Sequence, residues 1–175
     1  MNAEQKKKLR IDIAKDVLAR LCKKKSIVPT NNTYVWVDSG VQDEFYQDEN
    51  KEDTEQARQH IDKLTEKCKV CALGALFVGY VAIKNKVMVY EFFDSDSICS
   101  VENKLKNAFS KSQMELIEAA FEGRYVNDLH SEKPIDNIFA FYKTYRSPRQ
   151  RMTVIMQNII DNDGTLVLPK VEVAK

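Results

Sequence analysis

Two cysteines three residues apart, Cys68 and Cys71, lead into Cys71–Ile83, a stretch without charge in a 175-residue chain that is 30% charged. A Cys-x-x-Cys pair does redox work when the first thiolate attacks a disulfide and the second thiol resolves the mixed intermediate. Here the intervening pair is Lys69-Val70 and no βαβ pattern precedes it, so the competing reading is a small core cysteine, Cys71, with Cys68 at its edge. As a metal site, Cys68 and Cys71 supply only two of the four ligands that zinc takes. The others would have to converge from the isolated positions Cys22, His60, Cys99 or His130. A third option is nucleophilic catalysis, with Cys71 at a helix start, His130 as base and Asn127 or Asp128 orienting it. His130 stands in a polar stretch, where a surface histidine is the plainer explanation.

A second set of residues suits binding rather than chemistry. Arg124, Tyr125, Asn127 and Asp128 follow Gly123 between two expected helices. A guanidinium, a phenol, an amide and a carboxylate gathered there could ring the mouth of a pocket, with Cys71 behind them, and hold an anionic or heterocyclic ligand. Gly74 and Gly79 do not form a phosphate-cradling loop and fit close helix packing better. Glu115 and Glu118 lie on a helix whose other face is apolar, and solvent is their expected environment. For a protein interface, the candidates are the acidic stretch and the aromatic pair Tyr34 and Trp36.

The elements that must position these groups are mostly helical. Leu9, Ile13, Val17 and Leu21 recur at helical spacing and predict a helix over about Glu4 to Lys24. Thr33–Val37 is β-branched and aromatic and reads as a strand, with Thr165–Leu168 as its expected partner. A helix is expected from Asp53 or Thr54 toward Cys68, followed by the uncharged segment as a separate or kinked helix. Phe77–Ile83 could also be read as a strand turning at Lys84-Asn85-Lys86 into Val87–Phe93. Ser97 caps a short helix carrying Val101, Leu105 and Ala108. Ser110 and Gln113 form a capping box, with Phe109 and Met114 as a hydrophobic staple, on a helix that stops at Gly123. Ile135–Tyr145 reads as an aromatic helix. Ser147-Pro148-Arg149-Gln150 caps a last helix with Met152, Ile155, Met156 and Ile159 inward, ended by Asn162-Asp163-Gly164. The expected fold class is mainly α, a single-domain helical bundle-like fold over residues 1–169 with a minor two-stranded β element. An acidic loop falls at about 41–53 and a flexible tail at 170–175.

Composition narrows the function. Lys plus Arg number 27 against 26 Asp plus Glu, and this balance argues against a nucleic-acid partner. A lysine-rich polar N-terminus is no signal peptide, and the uncharged stretch is too short for a confident membrane span. Cytoplasmic localisation with reduced thiols is therefore expected.

Cys71-Ala-Leu-Gly-Ala-Leu76, the Phe109–Phe121 segment and Asn127-Asp128 together resemble an uncharacterised group of small bacterial and bacteriophage proteins. Met152–Gly164 shares that look. The resemblance spans most of residues 68–168 and implies an intracellular accessory protein; it carries no established activity. The leading expectation is a non-enzymatic binding protein without cofactor, whose partner is another protein or a small nucleotide-like ligand, with homo-oligomer formation open. The alternative is a hydrolase or transferase using Cys71 with His130.

Overall fold

A computed structural model of the chain describes residues 1–22, 27–36, 68–84, 98–123 and 135–169. They form six helices and a small three-stranded sheet: α1 (Ala3–Cys22), β1 (Val28–Pro29), β2 (Val35–Trp36), β3 (Lys69–Val70), α2 (Ala72–Lys84), α3 (Ile98–Leu105), α4 (Lys111–Glu122), α5 (Ile135–Thr144) and α6 (Pro148–Asp161). The fold is mainly helical, as the apolar periodicities require. The expected helix over residues 53–67, the hairpin arm at 87–93 and the Ser97 cap lie outside the described residues.

The uncharged α2 is the central element. Ala72 to Gly79 are all buried, because a helix apolar on every side is stable only when covered on every side. α1, α3 and α4 pack on it, α1 also packs along α6, and α5 and α6 pack on α4. Leu9, Ile13, Val17, Leu73, Leu76, Phe77, Ile117, Phe121, Ile155 and Ile159 share one continuous core. Gly79 lets α1 approach: a Cβ there would stand 3.2 Å from the Ile13 carbonyl oxygen. Arg10 stitches α1 to two helix ends, donating to Gly164 O at 2.6 Å and to Ala108 O at 3.0 Å.

The sheet corrects the expected pairing. Its order is β1-β3-β2, with β1 parallel and β2 antiparallel to β3. The partner of the Tyr34–Trp36 region is thus Lys69-Val70, inside the Cys-x-x-Cys, and not residues 165–168. That tail segment runs without a strand partner because side chains satisfy it instead. The Asn158 carboxamide donates to Val167 O and accepts from Val167 N, both at 2.8 Å, and Gln113 Oε1 accepts from Leu166 N at 2.8 Å. Gln113 is therefore diverted from the expected box: Ser110 Oγ accepts from Gln113 N at 3.3 Å, while the return bond is replaced by the one to Leu166. Ser147 and Gln150 form the complete reciprocal box at the start of α6. Gly123 ends α4 in the left-handed region at φ 68°, against the Tyr142 ring.

Candidate functional site

The connection between β1 and β2 crosses the end of β3 where the chain enters α2, and polar groups gather beneath that crossing. Thr30 N donates to Val70 O at 2.8 Å, and Cys71 N donates to Thr33 O at 2.5 Å. Asn32 adopts φ 61°, a left-handed conformation its short amide tolerates, and this turns the chain back toward β2. Gly74 is required at this place, since a Cβ would overlap the Tyr34 carbonyl.

Cys71 sits directly before α2 and serves that helix as an acceptor. The Gly74 N–H donates to its Sγ at 3.4 Å, the role a serine or aspartate oxygen usually fills at a helix start. The residue is 2% exposed and Cys68 is wholly buried. Burial pushes both thiols up to about 12; at Cys71 the nearby Glu122 and Glu118 add to the rise, and the Gly74 amide opposes it. The helix-start position does favour a thiolate, but desolvation outweighs it.

The covering segment is fastened to α4 and α6 by three side-chain contacts. Asn31 Oδ1 accepts from Arg151 Nη2 at 2.9 Å, Asn32 N donates to Glu122 Oε1 at 2.9 Å, and Tyr34 OH donates to Glu118 Oε1 at 2.6 Å. Glu118 is thus engaged with the sheet connection and is not turned to solvent, contrary to expectation. Burial first, and then the Glu118 carboxylate, raise the Tyr34 pKa, so the phenol remains the donor. Arg151 is 1% exposed. Its other bonds go to Phe121 O (2.6 Å), Tyr145 O (3.0 Å) and Arg146 O (2.8 Å), and its guanidinium lies 4.3 Å from the Tyr142 ring centroid. One side chain therefore ties the end of α4, the α5–α6 link and the sheet connection together.

Comparison with models of known families, with curated proteins and with solved structures finds no match. The site must be read from its own residues. Of the sequence candidates, the structure places Cys68 and Cys71 on either side of β3, Cys22 exposed at the end of α1, and Tyr34 and Trp36 at β2. Arg124, Tyr125, Asn127, Asp128 and His130 lie outside the described residues, as does the acidic stretch. Among the described residues, no three His, Cys, Asp or Glu side chains are grouped to hold a metal, and no helix is long and apolar enough to cross a membrane. The polar residues that sequence reading missed are Asn31, Asn32, Glu122 and Arg151. Arg151 had one available signal, a charge on the stripe that Met152, Ile155 and Ile159 mark as inward.

A second feature lies on the outer face of the sheet. The register sets Val28, Lys69 and Trp36 abreast, with Val35 and Val70 buried on the opposite face. The Lys69 ammonium stands 4.5 Å from the Trp36 ring centroid, and the indole remains 44% exposed.

Proposed function

We propose that the chain is a non-enzymatic binding protein, an accessory protein of bacterial or phage type, whose partner is another protein or a small nucleotide-like ligand. The observation that carries this reading is the burial of Cys71. A thiol 2% exposed and held protonated to about 12 is poorly placed to attack a substrate near neutral pH. Its sulfur works as a helix-start acceptor. Arg151, which holds the covering segment through Asn31, is likewise engaged in holding backbone together, which is scaffold work. The exposed Val28, Lys69 and Trp36 row supports a protein partner, while the Arg124–Asp128 segment, entered directly from α4, would serve a small ligand. The resemblance to small bacterial and phage proteins supports the accessory role.

Alkylation tests the reading. Iodoacetamide at neutral pH, followed by peptide mass mapping, is expected to label the exposed Cys22 at once and the buried Cys71 far more slowly until the chain is denatured. Rapid native labelling of Cys71 would overturn it in favour of the cysteine-dependent hydrolase or transferase. Native mass spectrometry of the purified protein then separates a retained nucleotide-sized mass from a retained polypeptide.

A further inference from the structure

We infer that residues 30–34 form a strap, fastened by polar contacts to α4 and α6, that gates access to the Cys71 thiol. The topology puts it there: β1 and β2 flank β3, so the segment joining them must pass over the end of β3, where Cys71 begins the descent into α2. Two backbone bonds, Thr30 N to Val70 O and Cys71 N to Thr33 O, lay the strap across that end. The Tyr34 backbone rests on Gly74, the residue whose amide engages the thiol.

What holds the strap differs from what holds the strands on either side. Ile27 before it and Val35 after it are buried in the core. Asn31, Asn32 and Thr33 bring no large apolar side chain, Tyr34 alone lays a half-buried ring against the core, and the other fastenings are the bonds to Arg151, Glu122 and Glu118. Water can replace such bonds one at a time, whereas separating α2 from α1 exposes apolar surface all at once. The strap therefore opens locally while the helices stay assembled, at a lower free energy than global unfolding. In the closed state the thiol is a cap for α2. In the open state it meets solvent at a helix N-terminus, where a thiolate is favoured.

The rate of Cys71 alkylation in the full chain, mapped by peptide mass, reads the opening. In the wild-type protein it is expected to depend only weakly on urea below the unfolding transition, while exchange of the Ile155 amide in the core of α6 depends on it steeply. Tyr34→Phe removes a hydrogen bond to a carboxylate and is expected to raise the Cys71 rate about tenfold or more. Exchange of the Cys71 amide should rise by the same factor, and so should that of the Ile155 amide, because opening and unfolding both break this bond, while the exposed Cys22 thiol is unchanged. Asn31→Ala should act in the same direction. The inference is overturned if wild-type Cys71 labelling shows the same urea dependence as Ile155 exchange. It is equally overturned if both substitutions leave the rate of Cys71 labelling unchanged.

Discussion

Replacing Arg151 by methionine keeps an unbranched apolar stem but loses the guanidinium and every polar contact it makes. Four bonds disappear, those to Phe121 O, Tyr145 O, Arg146 O and Asn31 Oδ1, all between 2.6 and 3.0 Å. A buried acceptor left without a donor costs about 1–3 kcal/mol. Two terms offset this loss: the guanidinium no longer has to be desolvated, and the acceptors near the α5–α6 link can recover water. The net loss expected for Arg151→Met is about 3–5 kcal/mol. At about 2–4 °C per kcal/mol for a chain of this size, that lowers Tm by roughly 6–20 °C. Arg151→Lys keeps the charge but cannot span acceptors on three segments, so it should recover less than half of the loss. Urea unfolding of the two variants, with Asn31→Ala to close a double-mutant cycle, gives the numbers; the Asn31–Arg151 coupling should be about 1 kcal/mol. An Arg151→Met protein within 1 kcal/mol of wild type would refute the view that this residue joins the sheet connection to α4 and α6.

Two further outcomes follow from the same geometry. Gly74→Ala gains about 1 kcal/mol of helix propensity but drives a methyl into the Tyr34 carbonyl, and should cost about 3 kcal/mol or more. Gly79→Ala meets only a 3.2 Å approach to Ile13 O and should stay within about 1 kcal/mol of wild type, so the reverse order in urea unfolding would be decisive against this packing. The buried thiols predict alkaline sensitivity. Cys68 and Cys71 stay protonated to about 12 when folded, against an ordinary value of 9.0. The unfolded chain releases those protons first, so their contribution is complete below about pH 9 and is lost as pH rises toward 12. Two protons give a slope of about 2.7 kcal/mol per pH unit at its steepest. Cys71→Ala should halve that thiol part in unfolding measured under reducing conditions from pH 8 to 11, and a stability flat above pH 9 would contradict it.

Much of the helical frame was legible because each helix carries its own instructions. The spacing of Leu9, Ile13 and Val17, the Ser147-Pro148 start and the Gly123 stop are local signals, and local hydrogen bonds obey them. The strand within Thr33–Val37 was legible, but its partners and the tail were not, for one shared reason. Lys69-Val70 looks like the run-in to a helix, and only the presence of Val28 and Val35 on either side makes it a strand. Thr165–Leu168 has strand composition, yet the carboxamides of Asn158 and Gln113 meet its peptide groups first. The site divides in the same way. Cys71 stood out through its charge-free surroundings, whereas the roles of Asn31 and Glu122 depend on partners 120 and 90 residues away. No window of sequence contains both halves of such a contact.

The Asn158 carboxamide has a consequence for how the molecule behaves among its own copies. Leu166-Val167-Leu168 is an aliphatic run with Val167 half in solvent, the kind of extended segment that recruits a neighbouring chain through its unused peptide groups. By occupying both peptide groups of Val167, a single amide on α6 takes away the template for such recruitment. The protein thus guards a sticky ribbon with two carboxamides, those of Asn158 and Gln113, where other folds spend an extra strand.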